Sequence, residues 1–311
     1  MSDAPSAAEM EEIAAGRAPQ EPGVVLCECF AQEGVRQEAS AVPAEARIAL
    51  IGRIAECGFR RIEVAGFTES RQAEAEAMLR GLRRCPGLRV RAACPDLQVM
   101  QRVLAAREGG WGPDEVTLSV SASEGHSQQA FGRSRAERWA EVAEMLALAG
   151  DAFTLTGIID AAFDCPRDGP TPQERVLEDA QRLAELGVTR IAIGDTFGSA
   201  TPPRVRDLIG WLHGALPTAT FIARFGDGRG TGIANTLAAV EAGLTHADGA
   251  LGGAGGSAAG LASTEDLATA LEAMGYATGL DLAALRAAGL EAERLLGRRL
   301  ASRVIRADSQ D

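Results

Sequence analysis

Charged residues stand where apolar runs end, the position at which α/β enzymes keep their chemistry. The pattern is plainest in Phe221-Ile222-Ala223-Arg224-Phe225-Gly226-Asp227-Gly228, where an apolar run breaks into charge and glycine before a helical pattern starts at Thr231. Gln32-Glu33 follow the first such run, Glu63 lies within the second, and Ser121-Ala122-Ser123-Glu124-Gly125-His126 follow the fourth. Asp195-Thr196 follow the sixth, and a glycine-rich loop, 252–260, carries Ser257 after the eighth. A carboxylate such as Glu33 or Asp195 can take a proton from a hydroxyl, and the Arg224 guanidinium can polarise a carbonyl or hold a carboxylate.

Each of these residues has a plainer competing role. Glu28 and Glu63 sit within apolar strands and need partners, because an unpaired buried carboxylate is costly; a structural salt bridge would supply them equally well. Asp195 could cap a helix, but the helix begins several residues later, which favours a site. His126 could be an ordinary exposed loop histidine, while His213 and His246 have no polar company at a strand end. Cys27 and Cys29 share a strand face and read as packing. The glycines of 252–256 could cradle an anion, though such loops are common.

The elements that position these residues alternate eight times. Strands are expected at Val24–Cys29, Arg61–Ala65, Arg89–Cys94, Glu115–Val120, Thr154–Ile159, Arg190–Ile193, Thr220–Arg224 and His246–Leu251. Helices are expected at Pro43–Cys57, Ser70–Arg84, Asp96–Arg107, Ser134–Gly150, Thr171–Leu186, Pro202–Ala215, Thr231–Ala242 and Thr264–Met274, with a further helix at Asp281–Arg298. Ser70, Asp96, Ser134, Thr171 and Thr264 are the expected caps. Evenly spaced βα units, with no Gly-x-Gly-x-x-Gly after the first strand, favour a (β/α)₈ TIM barrel with an extra C-terminal helix over an open doubly wound sheet. Residues 1–22 read as a mobile tail and 23–311 as one barrel domain.

Composition narrows the chemistry. The net charge of −12 argues against nucleic acid or an anionic membrane as partner. All 31 basic residues are arginine, so no lysine of this chain can form a Schiff base. Six scattered cysteines without a Cys-x-x-Cys pair fit reduced thiols in a cytoplasmic protein. No run reaches the roughly 18 apolar residues of a membrane helix. The amphipathic last helix suits a homo-oligomer contact or a cap on the barrel.

The segments Leu26–Glu38, 62–67, Ser121–His126, 193–202, 232–236 and 264–267 together resemble hydroxymethylglutaryl-CoA lyase, in order from about residue 24 to 290. That resemblance implies a metal-dependent TIM-barrel lyase that cleaves a 3-hydroxyacyl-CoA. A divalent cation would chelate the substrate, an arginine and carboxylates would manage the proton and the enolate, and a cysteine on a mobile loop would assist. Carried over residue by residue, the resemblance is uneven. The family's Arg-Asp-Gly is Gln32-Glu33-Gly34 here, its His-x-His-Asp is Arg224-Phe225-Gly226-Asp227, its loop cysteine falls on Ser257 and its asparagine ligand on Leu261. Glu63, Asp195, Thr196 and Asn235 are kept.

A cation needs enough hard ligands to offset its dehydration. Only Glu33 remains of the family's set, so no metal cofactor is expected beyond weak Mg²⁺ or Mn²⁺ contact there. Two functions follow. One is a divergent carbon–carbon lyase acting without the ion on a small anionic oxo or hydroxy acid or its CoA thioester. Its catalytic residues would be Glu33, Glu63, Asp195, Arg224 and Asp227, and Gln32, His126, Thr196, Asn235 and Ser257 would bind the substrate. The other is a non-catalytic barrel, closed by an Arg224–Glu33 ion pair, that binds a ligand or protein partner.

Overall fold

The computed structural model describes residues 23–34, 42–66, 72–255 and 259–307. Eight parallel strands close into a barrel: β1 (Val25–Glu28), β2 (Arg61–Gly66), β3 (Arg89–Ala93), β4 (Glu115–Ser121), β5 (Thr154–Asp160), β8 (Arg190–Asp195), β9 (Thr220–Phe225) and β10 (His246–Gly249). A short hairpin, β6 (Asp164–Cys165) with β7 (Gly169–Pro170), lies outside the barrel sheet. β1 closes the barrel against β10 through Val25↔His246 and Glu28↔Gly249. The strand and helix expectations hold to within a few residues at each end among the described residues.

Alternation sets what each strand presents inward. On β5, Gly157 faces the surrounding helices, since a Cβ there would lie 2.7 Å from Leu183 Cδ1. Ile158 therefore points inward, where it forms a small apolar floor with Ala192 and Ile222. The same parity turns Asp160, Gly194, Arg224, Asp248, Arg91 and Glu63 toward the barrel axis. The register between β2 and β3 slips between Glu63 and Ala65, an irregularity of the kind that re-aims side chains beside active sites.

Outside the strands, helices bury one apolar stripe each. The segment Leu97–Glu108 buries Val99, Met100, Val103 and Ala106, and Asp96 caps it by accepting from Val99 N at 2.8 Å. Ser134 and Glu137 form a reciprocal capping box on Arg135–Ala149. Two cap expectations are corrected. Pro172, not Thr171, precedes Gln173–Glu185, because the Thr171 hydroxyl donates to Ala161 O at 2.7 Å. Ser263, not Thr264, caps Thr264–Ala273 by accepting from Asp266 N at 3.3 Å. Ser70 lies outside the described residues. The helix Leu282–Leu296 packs Leu285, Ala288, Gly289 and Ala292 onto the barrel's own helices, so that face is spent within the chain. A short helix, Val304–Ala307, follows it.

Candidate active site at the barrel mouth

Five charged side chains meet at the C-terminal half of the barrel interior. Arg224, near the end of β9, donates through Nη1 to Asp248 Oδ2 at 2.7 Å and through Nη2 to Glu33 Oε1 at 2.9 Å and Glu63 Oε1 at 3.3 Å. Below it, Arg91 holds both Asp248 oxygens, at 3.1 and 2.7 Å. Arg91 Nε also lies 2.8 Å from Glu63 Oε2, a charge contact outside hydrogen-bond alignment. Cys29 Sγ accepts from Arg91 Nη2 at 3.2 Å and from Arg224 Nη1 at 3.6 Å.

Burial makes this pairing obligatory, because ions taken out of water must find partners. Glu63, Arg91 and Asp248 are each 1% exposed, whereas Arg224 and Glu33 are 11% and 12% exposed, so only that pair can meet a ligand. Burial alone would push the Asp248 carboxyl up, but the adjacent Arg91 and Arg224 outweigh it and hold the group below its ordinary value. Burial would also lower the Arg224 guanidinium pKa, but Glu63, Cys29, Asp248 and Glu33 raise it instead. Burial pushes the Cys29 thiol up, with Cys27 and Asp248 adding to the effect, so the sulfur stays a neutral acceptor. Three carboxylates against two guanidiniums leave the network one negative charge.

The network does not suit a divalent cation. Arg224, where the resemblance sets a histidine ligand, points a positive charge at Glu33. Gly226 and Leu261, where the resemblance sets a second histidine and an asparagine ligand, pair their backbones in an antiparallel bridge. A Cβ on Gly226 would lie 2.7 Å from Ala259 Cβ and from Asp195 O, so the backbone leaves no room for a ligand side chain there. Leu261 packs with Cys27, Cys29 and Ala250 instead. The donor atoms of Cys27, Cys29 and Asp248 do lie within 4.8 Å of one another, but Asp248 is bonded to two arginines and Cys29 is held protonated.

The remaining expected site residues are held elsewhere. Asp195 spends both oxygens on the following loop, accepting from Ser199 N at 2.9 Å and Ala200 N at 3.0 Å. Asn235 donates to Ala200 O at 3.0 Å, fixing the same loop from the helix Gly232–Glu241. Asp227 accepts from Gly232 N at 2.7 Å, at the start of that helix. Thr196 Oγ1 accepts from Ala161 N at 2.9 Å and donates to Asp160 Oδ1 at 3.3 Å. His126 is not in a loop: Ser123 caps the helix Glu124–Phe131 that carries it, and its buried ring meets Ser121 Oγ at 3.0 Å and stands edge-on to Phe197. Gln32 lies over Gly66, where a Cβ would sit 2.6 Å from its Oε1. Ser257 lies outside the described residues.

Sequence reasoning missed Arg91, Asp248 and Asp160. Arg91 and Asp248 are charges at inward strand positions, the same signal that picked out Glu63. Asp160 closes β5, and burial raises its carboxyl pKa against the pull of His126 and Arg224.

A closed parallel barrel with its charge gathered at the C-terminal strand ends is a TIM barrel with its polar residues at the end where that fold carries its sites. Within that fold, a family model described as HMGL-like matches residues 24–290, and this chain belongs to that family. It is 32% identical over 284 residues to the hydroxymethylglutaryl-CoA lyase of Pseudomonas mevalonii, covering 88% of this chain and 93% of that protein. It is 31% identical to the cytoplasmic 3-hydroxy-3-methylglutaryl-CoA lyase of Mus musculus, covering 89% and 83%. An HMG-CoA lyase from Acinetobacter baumannii, solved with coenzyme A and 3-methylmalate, matches with a TM-score of 0.85 at 28% identity over 92% of this chain and 95% of that one. The carboxyl transferase domain of Rhizobium etli pyruvate carboxylase shares the fold at 17% identity, with a TM-score of 0.70. No helix among the described residues is long and apolar enough to cross a membrane.

Proposed function

We propose that this protein is a carbon–carbon lyase of the HMG-CoA lyase type in which the Arg224 guanidinium does the electrostatic work of a divalent ion. The supporting observation is the position of Arg224, bridging Glu33, Glu63 and Asp248 at the place of the family's first histidine ligand. The substrate class is a small anionic oxo or hydroxy acid, or its CoA thioester. Lyase relatives along the whole barrel support it, as does a related structure solved with coenzyme A.

The residues have distinct work. Glu33, partly exposed and paired among the described residues with Arg224 alone, takes the proton of the substrate hydroxyl. Protonating Glu33 weakens its bond to Arg224 Nη2, and the donor so freed is then available to the developing enolate oxygen. The electrophile is thus released as negative charge appears, the differential stabilisation that catalysis requires. Asp248 and Glu63 keep the guanidinium in place, and Asp160 supplies a second carboxyl near Arg224. The loop around Ala200, held by Asp195 and Asn235, shapes the rim.

A second reading, a non-catalytic ligand-binding barrel, is favoured by one feature: Arg224 Nη1 and Nη2 are both already engaged. Cleavage of 3-hydroxy-3-methylglutaryl-CoA and of free 3-hydroxy-diacids, with and without chelator, separates the two. The proposal expects turnover that chelator does not change. Absence of turnover on this substrate class supports the non-catalytic barrel, and turnover abolished by chelator contradicts both.

A further inference from the structure

The opposite end of the barrel carries a second cluster that the mouth chemistry does not use. Arg61 opens β2, Arg190 opens β8 and His246 opens β10, all with inward parity, and Glu115 at the start of β4 is their carboxylate neighbour. Arg61 Nε engages both Glu115 oxygens, at 2.9 and 3.1 Å. Arg190 then has no ion-pair or hydrogen-bond partner among the described residues, and its Nε is buried. Beside it in register, Thr156 is 1% exposed, and its Oγ1 lacks a partner among the described residues.

The surroundings sharpen this imbalance. Burial and then Arg61 press the Arg190 pKa down, with Arg91 adding to the effect; Glu115 and Asp248 oppose it. Burial, Arg190 and Arg61 push His246 down to about 4, so this ring is neutral at physiological pH and adds no charge. Its Nδ1 meets Thr245 Oγ1 at 3.0 Å. Arg61 and Arg190 against Glu115 leave a surplus positive charge, and the exposed Arg89 stands beside Arg61 in register. Both orphaned atoms, Arg190 Nε and Thr156 Oγ1, can donate. A buried donor without an acceptor is costly, and a group that supplies only acceptors and negative charge would relieve both at once.

We propose that the N-terminal mouth of the barrel is a binding site for a small oxyanion of the phosphate class, held by Arg190 and Thr156 with Arg61 beside them. The guanidinium fork suits two oxyanion oxygens, and the threonine hydroxyl suits a third. The site is separate from the Arg224 mouth, since four residue steps along β8 put Arg190 about 13 Å from the Gly194 level. It stands whether or not the lyase reading does.

Titration calorimetry of the full-length protein with inorganic phosphate, against chloride at matched ionic strength, tests the site. One phosphate is expected to bind saturably, with a thermal midpoint raised by about 4 °C at a hundred times Kd. Arg190→Met is expected to weaken binding by at least about tenfold, and Thr156→Val, a milder change should the first variant not fold, by several-fold. Glu33→Gln at the other mouth is expected to leave phosphate affinity unchanged. Absence of saturable binding overturns the proposal. So does equal affinity in Thr156→Val and Arg190→Met, or a tenfold change in Glu33→Gln, which would place the anion at the Arg224 end.

Discussion

Arg224 Nη2 lies 2.9 Å from Glu33 Oε1, and these two are the only members of a five-residue charge network that touch solvent appreciably. A fixed side-chain cation thus faces a carboxylate at the barrel mouth. Under the proposed reading, that guanidinium takes the place of a dissociable ion.

Glu33 therefore has a role that its neutral isostere cannot fill. Glu33→Gln is expected to keep the fold and to lower turnover by about 10²–10⁴-fold, the usual worth of a general base. KM should change much less, because Arg224 remains to receive the substrate oxygen. Steady-state kinetics of purified Glu33→Gln checks this; a rise in KM with unchanged kcat would make Glu33 a binding group only.

Arg91 is the buried keystone beneath the pair. Removing it as Arg91→Met leaves Glu63 and Asp248 with Arg224 alone, at 1% exposure each. Breaking a buried ion pair from one side is expected to cost about 3–5 kcal/mol, read from denaturant unfolding. Arg91→Met with Asp248→Leu removes a charge of each sign, so the double variant should lose less than the first single one. Additive losses would mean that Arg91 and Asp248 do not act together.

Much of this was legible in the chain. Strand ends were marked by abrupt transitions, as at Ala223-Arg224 and Gly194-Asp195, and parallel units of even length fixed the barrel. Arg91 and Asp248 were harder, because a charge inside Arg89-Val90-Arg91 or His246-Ala247-Asp248 reads as an ordinary strand margin until closure sets which parity faces inward. Asp195 and Asn235 meet on one loop, around Ala200, an arrangement that depends on how the helix Gly232–Glu241 packs. His126 follows the Ser-x-Ser-Glu run at a strand end, which reads as a loop. Only the Ser123 hydroxyl accepting from His126 N shows that the helix starts there.

Two buried carboxyls outside the network set a pH dependence. Glu28 accepts from Phe30 N and Leu251 N, both at 2.8 Å, and burial raises it to about 7. Glu265 accepts from Gly252 N and is raised by burial to about 8, with Glu28 adding to the rise. A carboxyl whose folded pKa lies above its ordinary 4.5 contributes stability that is present at low pH and lost as pH rises through the folded value. Unfolding free energy is therefore expected to fall between about pH 5 and pH 8, and Glu265→Gln is expected to flatten that slope. Denaturant unfolding across that range checks it; an unchanged slope in the variant would assign the pH dependence to other groups.

The proposal that Arg224 does the work of an ion is tested most directly by titrating the full-length protein with Mn²⁺ and following free Mn²⁺ by electron paramagnetic resonance. The account predicts no saturable site tighter than about 1 mM, because Glu33 already faces a guanidinium. One Mn²⁺ bound per chain at micromolar affinity, lost in Glu33→Gln, would contradict it.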